Sequence, residues 1–102
     1  MKFTKKEISD IKYFFTIIKN RIKKSNEKLT ENLKRNNWIL YGVYAGRIFE
    51  IIHRRIDFKR EEKNLNADNL ILELFGQEFF NWLTFDHKQF TYLENTNQNK
   101  ND

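Results

Sequence analysis

Apolar residues fall at Ile8, Ile11, Phe15, Ile18 and Ile22, in alternating steps of three and four. That spacing draws one stripe along an amphipathic α-helix. Phe14 and Ile17 widen the stripe beyond a narrow coiled-coil seam. Upstream, Thr4-Lys5-Lys6-Glu7 has the form of a capping box, in which Thr4 and Glu7 each satisfy the other's backbone N–H. The stripe weakens at Ser25-Asn26 and resumes nearly in phase at Leu29 and Leu33. The pattern predicts either one long helix from about residue 5 to residue 35, bent near Ser25, or a break near Ser25, and the long helix is the favoured reading. Asn36-Asn37 is the next stop and restart, with Asn37 placed to cap.

The segment WILYGVYAGRIFEIIHRR, residues 38–55, is the most hydrophobic of the chain. Its uncharged run ends after nine residues at Gly46, well short of the ~20 apolar residues that span a bilayer. A membrane anchor is excluded on length. As a helix over residues 38–56 it places Tyr41, Ala45, Ile48 and Ile52 on one face, with Val43, Phe49, Ile51 and Ile56 around much of the rest. A helix apolar over most of its circumference belongs in the middle of a fold. Gly42, Ala45 and Gly46 form a notch, and each glycine costs about 1 kcal/mol relative to Ala inside a helix. The notch therefore implies a packing role: a close helix crossing or an inserted Phe, with a homodimer seam or a ligand notch as the alternatives. On the crossing reading, Gly46→Leu overpacks and costs about 1–3 kcal/mol.

Residues 57–66 read as a polar loop. Asn66 or Asp68 can cap a helix carrying Leu70, Ile71, Leu72, Leu74 and Phe75, ended by Gly76. A last apolar group, Phe79, Phe80, Trp82, Leu83 and Phe85, again approaches helical spacing. Residues 87–94 suit a helix or a short strand, and the polar tail 95–102 reads as disordered. The pattern implies an all-α domain over residues 1–94, a bundle of three or four helices with the glycine-bearing helix central.

Composition supports a packed core, since 16% of the 102 residues are aromatic and each ring buries roughly 150–250 Å². There is no cysteine, so disulfides and thiolate metal sites are excluded. The N-terminus MKFTKKEISD lacks the apolar run of a signal peptide, which points to the cytoplasm. Lys, Asn, Ile and Phe are abundant and Pro is absent, so some of the lysine excess reflects an A/T-rich coding sequence.

Charge is lopsided. Residues 1–36 carry 11 Lys/Arg against 4 Asp/Glu, a net +7, whereas residues 61–102 carry 3 against 8, a net −5. Such asymmetry points to an anionic partner or to self-association. Lys5, Lys12 and Lys19 repeat every seven residues with Lys23 a turn further, a line of ammonium groups at about 10 Å intervals on a helix. Arg47, Arg54 and Arg55 stand apart, because arginine is the residue that recurs at interfaces and phosphate sites.

Catalytic chemistry is poorly represented. Glu50, His53 and Asp57 share a helix face, but Glu50 is also placed for an ion pair with Arg54, and His53 suits the negative end of a helix. His87 beside Asp86 offers no more. No phosphate loop, nucleophile elbow or paired-histidine metal motif occurs. No cofactor or metal is expected. The chain has the general character of small inhibitors and adaptors carried by phages and mobile elements, such as anti-CRISPR and other anti-defence proteins. The expectation is a non-enzymatic protein that occupies a nucleic-acid-handling protein; the alternative is a DNA- or RNA-binding regulator using the basic N-terminal half. Deleting residues 95–102 is expected to change unfolding free energy by less than about 0.5 kcal/mol, measured by denaturant titration of the full-length and shortened chains.

Overall fold

The structure is a computed structural model that describes residues 3–56 and 65–88, the side chains of residues 65 and 66 excepted. The described residues form four α-helices and a π-helical turn, with no strand among them. The helices are α1 (Lys5–Ser25), α2 (Glu31–Arg55), α3 (Leu65–Phe75) and α4 (Gln77–Asn81), and the π-helical turn is Trp82–Asp86. The chain divides into two compact units, residues 1–67 and 68–102.

In the first unit the capping box forms as expected: the Glu7 N–H donates to Thr4 Oγ1 at 3.1 Å, and the Thr4 N–H donates to Glu7 Oε1 at 2.8 Å. Ile11, Phe15 and Ile18 of the predicted stripe are buried. The stripe does not continue in one helix, however. α1 ends at Ser25, and α2 begins at Glu31 behind a Thr30 cap whose side chain accepts from the Leu33 N–H. Ser25 and Asn26 end α1 by donating side-chain hydrogen bonds to the Ile22 carbonyl. Short polar side chains of this kind offer the backbone an alternative to continued helix. Asn37 is consequently not a cap but a buried residue inside α2.

α1 and α2 pack along their lengths in opposite directions, since partners descend along α2 as they ascend along α1. Glu7 meets Arg55, Phe14 meets Tyr44, and the Arg21 carbonyl accepts from Asn37 Nδ2 at 2.9 Å. The face of α2 that buries Tyr41, Ala45, Ile48 and Ile52 is the one its periodicity marked. Ile18, Ile48 and Ile52 are fully enclosed, a placement worth roughly 1.5–3 kcal/mol each relative to exposure.

The second unit turns on Gly76. Its φ of +91° lies where a side chain is strained, and there it closes α3 through its N–H to the Leu72 carbonyl and opens α4 through its own carbonyl. α3 begins at Leu65, earlier than the Asn66 or Asp68 caps would place it. The rings of Phe75, Phe79 and Trp82 follow one another at 4.9 and 5.9 Å. Residues 87–88 are helical, while the rest of the helix-or-strand stretch, most of the predicted loop and the polar tail lie outside the described residues.

Glu7 does two jobs, capping α1 and receiving Arg55 from the end of α2, with Nε 3.0 Å from both carboxylate oxygens and Nη2 3.0 Å from Oε2. The Thr4 backbone N–H first, and the Arg55 side chain second, hold its pKa below the ordinary 4.5. A carboxylate with a lowered folded-state pKa stabilises fully above its unfolded value and loses that contribution as pH falls through the folded one. Glu7→Gln is therefore expected to lower Tm at neutral pH and to flatten the loss of Tm below pH 4.5. Thermal melts from pH 7 to pH 2 read this directly, and parallel acid limbs in the two proteins would exclude the clasp as a contributor.

Candidate protein-binding surface

α2 is not apolar toward the interior on all sides. Helical geometry places residues about 100° apart, so burying Tyr41, Ala45, Ile48 and Ile52 turns Ile39, Gly42, Val43 and Gly46 outward. Ile39 is 55% exposed and Val43 44%. A Cβ built at Gly42 or Gly46 would meet no atom within 4 Å. Of the three notch residues only Ala45 is buried. Among the described residues no close crossing is made at the glycines, and Gly46→Leu meets open space there rather than a clash. The glycines lie on the side of α2 away from α1, and α1 is the element that covers the buried face.

Beside this face lies a more specific feature. The Arg47 guanidinium sits over two rings at once, 5.7 Å from the Phe14 centroid and 5.3 Å from that of Tyr44. Those rings are themselves 5.6 Å apart across the α1–α2 junction. Tyr13, 63% exposed, leans on Phe14 at 5.8 Å, and Leu40, on the same flank of α2 as Arg47, is 41% exposed. A guanidinium held by two aromatic faces keeps its edge donors free to point outward, and each such contact is worth about 0.5–1 kcal/mol at an exposed site. The clamp pre-orders a side chain that otherwise loses much rotamer freedom when it binds.

The lysines and Arg55 do not join it. Lys5, Lys12, Lys19 and Lys23 are all exposed and share one line on α1. That line runs roughly opposite Phe14 around the helix, so it faces away from Arg47. Lys19 lies over the Phe15 ring at 5.3 Å, while Lys5, Lys12 and Lys23 make no ion pair among the described residues. Arg55 is engaged by Glu7. Arg54 is exposed, and the predicted Glu50–Arg54 pair does not form. The basic set is therefore a lysine row on α1, the Arg47 clamp with Arg54 two turns further along the same flank of α2, and the Arg55 clasp.

Of the candidate acid–base face, Glu50 and His53 are both exposed. His53 lies against Phe49 at 5.8 Å, and Asp57 is outside the described residues. No group of three or more His, Asp or Glu suited to a metal occurs among the described residues. His87 is half-buried, with Nδ1 3.1 Å from the Trp82 carbonyl and its ring edge-on to Trp82. Burial is the main cause lowering its pKa.

Phe14, Tyr44 and Tyr13 went unread as a site because residues 30 positions apart meet only once the hairpin closes. Ile39, Leu40 and Val43 fall off the 41-45-48-52 stripe, but so do the buried Ile51 and Ile56, so the pattern alone does not mark them as exposed. Because the glycines are open and helical, Gly42→Ala and Gly46→Ala are each expected to raise stability by about 1 kcal/mol, measured by thermal melts of dilute protein. A loss of stability in either variant would show that the notch is filled in solution.

No protein-family model matches this chain, and no curated protein or solved structure is detectably similar to it.

Proposed function

We propose that this chain is a non-enzymatic binding protein that acts by occupying another protein, as an inhibitor or adaptor of the kind carried by phages and mobile elements. The observation that carries the reading is the Arg47 clamp with its exposed neighbours Tyr13 and Leu40. Arg and Tyr are the residues that most often dominate binding energy at protein interfaces, and a pre-ordered arginine flanked by apolar surface is the arrangement such contacts favour. The target class we assign is a nucleic-acid-handling protein. Support for that class comes from the opposite side of α1, where the lysine row has the spacing and exposure of backbone-phosphate contacts. One side of the hairpin would grip the protein, and the other would face the phosphates that such a protein carries.

The second reading, direct binding of DNA or RNA, rests on the same lysine row taken alone. Salt dependence separates the two. Phosphate neutralisation gives a log–log slope near one per contact on duplex DNA. On the leading reading, bare nucleic acid binds weakly at physiological salt. Affinity capture from host lysate, with and without nuclease, then recovers a protein whose retention falls at least about tenfold with Arg47→Ala, in the range of an interface hot spot, but little with Lys5→Ala, Lys12→Ala and Lys19→Ala combined. Tight, salt-steep binding to naked DNA or RNA that the triple lysine variant abolishes would overturn it.

A further inference from the structure

The outward face of α2 is apolar at its middle and oppositely charged toward its two ends. Ile39 and Val43 stand exposed at the centre beside the bare backbone of Gly42 and Gly46. Arg35 lies toward the N-terminal end of the same face and Glu50 toward the C-terminal end, both exposed. Neither has an ion partner among the described residues. These positions have a common centre. Ile39 and Gly46, Arg35 and Glu50, and Gly42 and Val43 are each symmetric about the level midway between residues 42 and 43.

We propose that this face is a self-association surface on which α2 pairs antiparallel with α2 of a second copy, about a two-fold axis between the levels of Gly42 and Val43. An isologous contact requires a surface complementary to itself, and this face meets the requirement in both shape and charge. The Ile39 side chain of each copy lies over Gly46 of the other, where no Cβ intervenes. Val43 of each copy lies over Gly42 of the other. At about 11 Å to either side, from 7.5 residues at a 1.5 Å rise, Arg35 of one copy comes within reach of Glu50 of the other. The parallel alternative brings Arg35 to Arg35 and Glu50 to Glu50, a like-charge juxtaposition that costs affinity. The charge pattern therefore selects the antiparallel pairing.

The glycines take their place in this account. Among the described residues nothing approaches them to offset their cost to the helix, and in the pair they admit a second helix closely. A single helix face is well below the ~800 Å² per partner of a standard stable interface, so the dimer is weak and populated at high micromolar concentration. Arg47 lies about 80° around α2 from Ile39, at the rim of the seam rather than in it. Self-association and the partner surface proposed above are thus separable, and the present proposal does not depend on that reading.

Sedimentation equilibrium of the full chain from about 10 μM to 1 mM tests it, with circular dichroism melts confirming that each variant is folded. The expected result is a monomer–dimer equilibrium that Val43→Arg abolishes. Arg35→Glu and Glu50→Arg should each weaken it about tenfold, since two symmetry-related pairs each lose an attraction and gain a repulsion. The double variant Arg35→Glu with Glu50→Arg should restore it to within about threefold, because the pairs re-form with signs exchanged. A chain that remains monomeric at 1 mM overturns the proposal and leaves the face to another protein. So does a dimer indifferent to Val43→Arg, or single-variant losses that the double variant does not rescue.

Discussion

The reversal at residues 26–30 is the constraint on which the first unit rests. Ser25 and Asn26 turn their side chains back onto the Ile22 carbonyl and Thr30 caps the next helix, so the chain folds back instead of running on. Only then can α2 lie along α1 and cover Ile11 and Ile18. A continuous helix would have left those isoleucines without a neighbour from the same unit. Three polar residues within six positions, Ser25, Asn26 and Thr30, thereby decide which apolar side chains meet.

At the far end of the pair, the Glu7–Arg55 clasp holds what the reversal begins. Glu7 is committed twice, to the α1 N-terminus and to the α2 C-terminus, and the favourable sites for an anion and a cation along helix dipoles coincide with these two ends. Between them the buried Asn37 fixes the level at which the helices meet by donating to the Arg21 carbonyl. Its Oδ1 and Arg21 Nε are enclosed without partners, a polar cost that a purely apolar crossing would not carry. The pairing is set by these polar contacts as well as by isoleucine packing.

Closing the hairpin also creates the surface around Arg47. Phe14 and Tyr44 come from different helices, and the Arg47 guanidinium lies over both rings. The lysine row is left on the opposite side by the same rotation of α1. One packing decision therefore separates two kinds of recognition chemistry, aromatic–arginine on one side and ammonium on the other.

The residue pattern determined the helical class, the capping box, the buried stripes of α1 and α2 and the stop at Gly76, because each depends on contacts within a turn or two of chain. Tertiary structure decided how much of the rest of α2 stays open, and with it the meaning of Gly42 and Gly46. Periodicity marks which side chains share a face, whereas exposure depends on what the chain later brings against that face. For the same reason Arg47, Arg54 and Arg55 look alike in sequence, yet a ring pair holds the first, a carboxylate holds the third and the second is left exposed. Phe14 is 33 residues from Arg47 and Glu7 is 48 from Arg55, beyond the reach of any local pattern.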